Sequence, residues 1–285
     1  MSQLRATLAL YRGHLLTYRR NRTSIYWTLA FPLFFLLMFG YVFGRGDPDA
    51  TRFIMPGLFT ITIISGSVFG VAMRLVTERE IGILRRHHVT PVSAVAIVLA
   101  HAATALTALL VSMALQFVVA RLLFKFHVAG SPVAFALVLL LGGAALIPIG
   151  LIVGSIARDS RTAPAIANFV FFPLMFLSGS AIPFMMLPGW MQKLARLVPT
   201  TYINEALQAV AVRGLGLSQV AGPLAVLALT SVVGVSLNGL LFRWESTEPV
   251  STKRLLIALG GLAALYAGAY FLAPTLGMAT FRPNN

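Results

Sequence analysis

The sequence of 285 residues contains no cysteine and few charged side chains. The absence of cysteine excludes a disulfide framework, a thiol nucleophile and every cysteine-based metal site. Only 11% of the residues are charged, against about 25% in ordinary globular domains. Long apolar runs recur along the whole chain and leave no segment that reads as a soluble domain. The sequence therefore predicts an all-α polytopic membrane protein.

Two further absences limit the chemistry. No GxxxxGKS or GxxxxGKT loop occurs, so the chain is not expected to bind ATP in the manner of P-loop proteins. No acidic residue lies well inside an apolar run, whereas ion-coupled carriers generally need an ionisable group within the membrane. An ion-coupled secondary carrier is thus a less favoured alternative, and a membrane scaffold that transports nothing is a third.

What the chain has in quantity is apolar and basic residues. Apolar residues make up 58% of the sequence, and 22 Lys/Arg against 8 Asp/Glu give a net charge of +14. In a soluble protein this charge would suggest a nucleic-acid partner. Here the basic residues flank apolar runs, as the positive-inside rule describes. The expected partner is the lipid bilayer, and no nucleic acid is expected.

Seven apolar runs approach or exceed the ~20 residues that a helix needs to cross a bilayer. They cover residues 24–44, 53–74, 92–120, 132–156, 163–182, 218–241 and 255–273. The first run has no signal-peptide cleavage site after it and is expected to be a true span. A cytoplasmic N-terminus places 14 Lys/Arg on the inner side and 8 on the outer side. We therefore expect a multi-pass membrane protein with its N-terminus in the cytoplasm.

The segment before the first run is basic and amphipathic. Residues 1–23 contain several arginines and no acid, and apolar side chains at a 4-3-4-3 spacing share one helical face: Leu4, Leu8, Tyr11, Leu15 and Tyr18. This pattern predicts a helix that lies in the headgroup layer.

Residues 182–217 are too polar to span a membrane and too apolar to form a plain loop. They predict short interfacial or re-entrant helices, with Trp190 and Tyr202 as headgroup anchors. Glu205 is the only acid of this hairpin. A pair with Arg213 or a helix N-terminus is the favoured interpretation of Glu205, over a contact with substrate.

A charged island separates the second and third runs, and its charged residues are Glu78, Arg79, Glu80, Arg85 and Arg86. Uncompensated charge at the bilayer centre costs about 2.5–3.5 kcal/mol per residue, so the island is expected in water. Thr77 and Glu80 fit a capping box at a helix start, and Pro91 would end that helix. We interpret the island as a helix that docks on a soluble partner, against the alternative of a loop that only enforces topology.

Polar side chains within the apolar runs are few. Most such residues form hydrogen bonds between helices, but a substrate pathway is an alternative for Thr60, Thr62, Ser67, Asn168 and Ser178. The adjacent His87 and His88 point to different sides of a helix, so no metal site is predicted. His101, in the third run, is expected in an interhelical hydrogen bond rather than in a proton relay.

Several motifs, in this order, resemble the ABC type-2 transporter permeases. The family's signature between the second and third spans resembles Glu78-Arg79-Glu80-x-Gly82-x-Leu84 followed by Thr90-Pro91-Val92-Ser93. Its fifth span and extracellular hairpin resemble Pro173-Leu-Met-Phe-Leu-Ser-Gly179, then Pro183, Leu187-Pro188-x-Trp190 and Pro199-Thr-Thr-Tyr202-x-x-Glu205-Ala206-Leu207. With the basic N-terminus, the resemblance extends over about residues 1–243.

The resemblance implies the ABC type-2 exporter fold, with a six-span core. The implied regions are a connecting helix at 1–23, the core at 24–243, a coupling helix at 76–90, a re-entrant hairpin at 182–217, and a hinge with an extra span (255–273) at 244–285. The family core has six spans and both termini in the cytosol. A seventh span would put the C-terminus outside, so it is either a peripheral addition or a sign that the span count is off by one.

The resemblance also implies a location in the bacterial cytoplasmic (inner) membrane, as well as partners and roles. The chain would be a non-catalytic subunit without a cofactor, beside two cytosolic ABC ATPase subunits that bind ATP and Mg²⁺. It would pair with a second permease chain, as a homodimer or with a similar permease. Coupling to the ATPase is implied for Glu78, Arg79, Glu80, Gly82, Leu84, Arg85, Arg86, Thr90 and Pro91. The connecting helix would contribute Arg5, Arg12 and Arg19, and the hairpin near the exit Pro183, Trp190, Pro199, Tyr202 and Glu205.

The expected function is multidrug efflux. Because the spans are apolar and no charged sugar-binding constellation occurs, we expect export of a small hydrophobic or amphipathic substrate, with drugs or antibiotics favoured, out of the cytoplasm or the inner leaflet. Export of lipids or lipid-linked polysaccharides is the alternative within the same family.

Overall fold

A computed structural model of the chain describes residues 3–43, 48–84, 92–241 and 252–272. Every regular element in these ranges is helical. The α-helices are α1 (Gln3–Arg20), α2 (Arg22–Phe43), α3 (Pro48–Ser65), α4 (Val71–Glu80), α5 (Ala94–Phe124), α6 (Pro132–Ile156), α7 (Ala163–Leu177), α8 (Gly189–Ala195), α9 (Pro199–Ala211), α10 (Ala221–Leu241) and α11 (Thr252–Leu272). A π-helical segment (Gly66–Gly70) joins α3 to α4, and short 3₁₀ turns cover Phe184–Met186 and Ser218–Val220.

Four helical stretches in the described residues are long and apolar enough to cross a membrane: Thr51–Glu80, Ala94–Phe124, Pro132–Ile156 and Ser218–Asn238. They correspond to the second, third, fourth and sixth predicted runs. The other three runs correspond to shorter apolar helices at Thr28–Phe43, Ala163–Leu177 and Gly260–Ala269. The prediction of an all-α, multi-pass membrane protein is confirmed, while the count of seven spans stays a prediction.

Helix α6 is the centre of the body and packs against α4, the π-helical segment, α5, α9 and α10. Two glycines permit its closest approach. A Cβ atom on Gly150 would lie 1.9 Å from the carbonyl oxygen of Ser67, and one on Gly154 would lie 3.1 Å from Cα of Ala72. Small residues four positions apart let two helices in lipid approach until their backbones are in contact. Gly150 and Gly154 thereby fix α6 against the stretch from the π-helical segment to α4.

The turn after α7 leads the chain into the hairpin helices. Helix α7 ends at Leu177, five residues before the end of the predicted span, and the chain turns at Gly179, whose φ is +76°. Such a backbone conformation strains any residue with a side chain. Helix α9 then packs on α3 and α6, and Thr200 donates to the carbonyl oxygen of Leu174 at 2.9 Å.

Tyr202 is completely buried, so its predicted role as a headgroup anchor is wrong. Its hydroxyl donates to the carbonyl oxygen of Arg196 at 2.9 Å, which satisfies the polar end of the ring inside the body. Trp190 is 64% exposed, as an anchor requires. We call this part of the molecule the hairpin end.

Helix α11, the predicted seventh span, packs along α10. The hydroxyl of Tyr266 donates to Thr230 at 2.8 Å, and its ring lies 6.1 Å from that of Tyr202 between centroids. Helix α11 therefore finishes at the hairpin end. The hinge residues 242–251 and the C-terminal residues 273–285 lie outside the described residues.

Helix α1 forms the predicted N-terminal helix and packs on α5. Its face toward the protein includes buried Ala6 and Tyr11, whose hydroxyl lies 2.9 Å from the hydroxyl of Thr107. Leu4 and Leu8 are 70% and 49% exposed. The face that contacts the protein is thus rotated away from the start of the predicted apolar stripe.

Candidate functional site: the charged end of the helical body

The C-terminal turn of α4 lies at the opposite end of the molecule from the hairpin, next to α1, the start of α5 and the end of α6. We call this region the charged end. It carries three consecutive charged residues, Glu78, Arg79 and Glu80. Because successive helical residues point about 100° apart, each of these side chains enters a different environment.

Arg79 is only 4% exposed and reaches the C-terminus of α6. Its guanidinium group donates to the carbonyl oxygen of Gly154 at 3.0 Å and also to that of Ala157. The last carbonyl groups of a helix have no partner within the helix and carry the negative end of its dipole. Arg79 therefore caps α6 and fastens it to α4.

Glu80 holds the loop between α6 and α7. Its Oε1 atom accepts a hydrogen bond from the backbone N–H of Ser160 at 2.8 Å. In the same loop Asp159 accepts from the N–H of Thr162 at 2.8 Å and from that of Arg161. The backbone hydrogen bond from Thr162 lowers the pKa of Asp159, since the donor favours the ionised carboxylate. The loop is ordered by two carboxylates, one within it and one on α4.

Glu78 turns inward. Its Oε1 atom accepts a hydrogen bond from Nε of Arg74 at 2.9 Å, and its Oε2 atom lies 3.3 Å from Nε2 of His101 and 3.8 Å from Nε2 of His14. Glu78 is 9% exposed and His101 is 3% exposed. This carboxylate links α4 to α1 and α5.

The expectation that the whole island lies in water is wrong for Glu78 and Arg79. Both are buried within the protein, where Arg74 pairs with the carboxylate of Glu78 and backbone carbonyl groups accept hydrogen bonds from the guanidinium group of Arg79. The predicted capping box is also wrong, because Thr77 lies inside α4 and its carbonyl accepts from the N–H of Ile81 at 3.0 Å. Helix α4 continues to Glu80 because protein groups, and not water, solvate the charged side chains of Glu78 and Arg79.

Beyond α4 the chain turns. Ile81 is 61% exposed, Gly82 has a φ of +75°, and Leu84 is completely buried. Gly82 thus occupies the left-handed region that glycine tolerates best. The other residues with a predicted coupling role, Arg85, Arg86, Thr90 and Pro91, lie outside the described residues.

The remaining predicted site residues are distributed over the molecule. Of the pathway candidates, Thr60, Thr62, Ser67 and Ser178 are buried within this chain, and Asn168 is on an exposed face. Thr60 bonds Asn204 at 3.3 Å, and Thr62 bonds Gln116 at 2.9 Å. These two contacts are interhelical hydrogen bonds, which the sequence analysis favoured for such residues. A role in lining a substrate pathway stays a prediction.

The residues predicted for the two ends are placed as follows. Arg5, Arg12 and Arg19 are exposed on α1. In the hairpin, Pro199 is buried, Pro183 is half-buried, and Glu205 forms an ion pair with Arg213. The favoured interpretation of Glu205 is therefore confirmed.

Sequence reasoning missed His14 and Arg74 beside Glu78, and it expected an interhelical contact for His101 without identifying Glu78 as the neighbour. His14 belongs to a helix that was assigned to the headgroup layer, and His101 belongs to an apolar run. No local motif joins these positions to Glu78. The contact between the two imidazole rings, whose centroids are 4.6 Å apart, follows only from the packing of α1 on α5.

A helical body that has four membrane-length helices in its described residues, with buried charged side chains at one end, belongs to the class of multi-pass membrane proteins. The family follows from comparison with known proteins. Residues 5–212 match the model of the ABC-2 type transporter membrane family, so the chain belongs to this family. The resemblance noted from the charged island and the hairpin motifs is confirmed.

Curated relatives are distant in sequence. The chain is 23% identical over 176 residues to ABC transporter G family member 20 of Dictyostelium discoideum, covering 62% of this chain and 24% of that protein. It is 28% identical over 202 residues to the inner membrane transport permease YhhJ of Escherichia coli, covering 70% and 53%. It is 28% identical over 189 residues to a daunorubicin resistance ABC transporter permease protein of Streptomyces coeruleorubidus, covering 61% and 64%. The chain thus matches less than two thirds of the length of each of these relatives.

Proposed function

We propose that this chain is the membrane-embedded permease subunit of an ATP-driven exporter, and that separate ABC ATPase subunits act on its charged end. The observation that carries the proposal is the set of bonds made by the last turn of α4. Glu78 joins this turn to α1 and α5, Arg79 joins it to α6, and Glu80 joins it to the following loop. A displacement of the turn would therefore move four parts of the body together.

The adjoining turn supplies a surface on which a soluble partner could act. Ile81 presents an exposed apolar side chain at the tip of the turn, and Gly82 reverses the chain beside it. An exposed apolar side chain with a polar rim is a frequent anchor of protein interfaces. In this proposal the charged end faces the cytosol, ATP and Mg²⁺ bind to the partner, and the chain itself hydrolyses no ATP.

The first test is co-purification from native membranes in mild detergent. An ABC ATPase subunit is expected to accompany the tagged chain, and ATP hydrolysis is expected only in the fraction that contains it. Ile81→Asp should lower the amount of bound ATPase at least ~10-fold, since truncating an interface hot spot costs about 2 kcal/mol or more. The amount of ATPase per permease on a stained gel, together with ATP turnover, measures both effects.

Leu217→Asp is the matched control, because Leu217 is also an exposed apolar residue, 43% accessible, but lies at the hairpin end. This variant should retain the ATPase. Intrinsic ATP hydrolysis by the purified chain would contradict the proposal that a partner subunit hydrolyses ATP. An unchanged ATPase content in Ile81→Asp would contradict docking of the ATPase at the charged end.

The proposed substrate is a small hydrophobic or amphipathic molecule, with drugs favoured. Family membership and the similarity to a daunorubicin resistance permease support this class, as does the apolar surface of α7. The exposed face of α7 carries a row of aromatic residues, with Phe169 82%, Phe172 48% and Phe176 40% exposed. Drug accumulation in cells that lack and overexpress the chain tests the substrate class, and unchanged accumulation combined with altered lipid export would favour the lipid alternative.

The α7 row also supports pairing with a second permease chain. Residues at spacings of three and four share one helical face, and α7 packs on the π-helical segment through Phe69 and Phe171, with ring centroids 5.4 Å apart. In the homodimer that we propose, the aromatic row faces its counterpart in the partner chain and borders the substrate route.

Because the native chain contains no cysteine, a single substitution tests the dimer. Phe172→Cys should form a disulfide-linked dimer in oxidised native membranes, since equivalent residues near a two-fold axis approach each other. A non-reducing gel measures the cross-linked fraction. Val118→Cys on α5, with a similar exposure of 48% for the native residue, should remain monomeric. Equal cross-linking of the two variants would argue against an interface at α7.

A further inference from the structure

Three side chains that commonly bind metals converge at the charged end from three different helices. His14 lies on α1, Glu78 in the last turn of α4, and His101 in the second turn of α5. One ligand atom of each residue lies within 4.8 Å of the ligand atoms of the other two. We call these three residues the His–Glu–His cluster.

We propose that the His–Glu–His cluster binds a divalent transition-metal cation, with Zn²⁺ as the representative ion. In a tetrahedral site with bonds of about 2.0–2.2 Å, neighbouring ligand atoms lie roughly 3.3–3.6 Å apart. Oε2 of Glu78 is 3.3 Å from Nε2 of His101 and 3.8 Å from Nε2 of His14. The first of these distances already fits, and the second needs a movement of a few tenths of an ångström. The third separation, between the ligand nitrogens of His14 and His101, is within 4.8 Å and has to shorten by up to about 1.5 Å.

The movement that completes the site falls on His14. His101 is fixed within the body with 2% of its side chain exposed, whereas the side chain of His14 is 12% exposed and belongs to a helix at the surface. A side-chain rotation of His14 brings its ring nitrogen nearer to that of His101. The partial exposure of His14 and Glu78 also leaves a way for water to occupy a fourth ligand position, as in zinc sites with three protein ligands.

The carboxylate is held in place by a second group. Nε of Arg74 donates to Oε1 of Glu78 at 2.9 Å, and the same guanidinium group donates to the backbone carbonyl oxygen of His14 at 3.3 Å. Metal-binding carboxylates are usually oriented by such hydrogen bonds. Arg74 thus occupies one oxygen of Glu78 and directs the other toward the two histidines.

The donor set favours a particular kind of ion. Two imidazoles and one carboxylate suit Zn²⁺ and its neighbours Co²⁺ and Ni²⁺, whereas Ca²⁺ and Mg²⁺ require mainly oxygen ligands. The single negative charge of Glu78 partly neutralises a divalent cation, and the positive charge of Arg74 weakens the attraction. The competing arrangement is an ion pair between Glu78 and a protonated histidine, and it differs from a metal site in needing no ion.

A bound ion would connect α1, α4 and α5, because each of the three helices supplies one side chain that coordinates it. Any ion that binds the folded state alone raises stability with its concentration. Zn²⁺ should therefore raise the heat-unfolding midpoint of the detergent-purified chain after chelator treatment, and this readout is independent of transport.

The test uses Co²⁺ as a spectroscopic probe, followed by displacement with Zn²⁺. The full chain is expected to bind about one Co²⁺ with visible absorption bands stronger than those of the hydrated ion, and Zn²⁺ should abolish these bands. His14→Gln and Glu78→Gln should each weaken Zn²⁺ binding at least ~10-fold, since even the loss of an outer-shell partner costs 10–100-fold. His14→Gln is the cleaner variant, because Glu78→Gln also alters the contact with Arg74.

Two controls separate this site from other histidines. His127→Gln removes an exposed histidine outside the charged end, and His87→Gln with His88→Gln removes the adjacent pair in the island. Both variants should bind Zn²⁺ like the native chain. Absence of Co²⁺ bands in the native chain, or undiminished binding in His14→Gln, would overturn the metal site and favour the ion pair. Co-purification with the ATPase is measured separately, so that result leaves the proposed function unaffected.

Discussion

Replacing Arg79 by leucine is expected to cause one of the two largest losses of stability in this protein. The guanidinium group of Arg79 supplies hydrogen bonds to the carbonyl oxygens of Gly154 and Ala157 at the end of α6. Leucine fills much of the volume and supplies no donor. A buried acceptor left without its partner costs about 1–3 kcal/mol, so two of them are expected to cost at least ~2 kcal/mol together.

The loss is measured as the shift of the heat-unfolding midpoint of the purified chain in detergent. Arg79→Lys should fall between the native chain and Arg79→Leu, because lysine keeps the charge but lacks the planar fork that reaches two oxygens. Arg158→Leu removes an exposed arginine from the nearby loop and should stay within about 0.5 kcal/mol of the native chain. If Arg79→Leu and Arg158→Leu behaved alike, Arg79 would not be the cap of α6.

Replacing Gly150 by alanine is expected to lower the stability by a comparable amount, but for a different reason. Here an added atom, and not a lost bond, disturbs the structure. The new Cβ atom would lie 1.9 Å from the backbone oxygen of Ser67, so α6 and the π-helical segment must move apart. Overpacking of a close-packed interior costs typically about 1–3 kcal/mol, and a clash with backbone falls at the upper end because no side chain can rotate away.

Gly260→Ala provides the matched comparison for Gly150→Ala. Gly260 is also a helical glycine in an apolar helix, but nothing lies within 4 Å of its added Cβ atom. Alanine has the higher helix propensity, by about 0.8–1.0 kcal/mol in soluble hosts. Gly260→Ala should therefore be neutral or stabilising, whereas Gly150→Ala should lower both the yield of monodisperse protein and its unfolding midpoint. Native-like behaviour of Gly150→Ala would show that α6 and the π-helical segment are not in close contact.

The burial of Glu78 makes charge reversal at this position a poor test of coupling to a partner. Reversing the charge of Glu78 would place a cation beside Arg74, whose Nε lies 2.9 Å from the carboxylate, and would disturb folding as well as coupling. Glu80 is exposed but holds the loop between α6 and α7 through Ser160. Ile81, which is 61% exposed, is therefore the better position for separating an effect on the partner from an effect on the fold.

Much of the fold follows from local sequence patterns. Apolar runs of membrane length predicted α5, α6 and α10 within a few residues of their observed bounds, because burial in lipid acts on each helix separately. The break after α7 was placed too late by five residues. The turn at Gly179 depends on packing with α9, since Asn204 and Phe184 both lie close to this glycine, and no hydropathy pattern records that contact.

The partners of the buried charged residues depend on the tertiary structure more than the bounds of the helices do. The sequence determined that this chain is a helical membrane protein, that an acidic and basic island interrupts its spans, and that its motifs resemble one transporter family. Only the fold decided that Arg79 caps α6 and that Glu78 meets His14 and His101. The physical reason is that hydropathy and helical period depend on neighbouring residues, whereas the partner of a buried charge is set by the packing of helices that are distant in the chain.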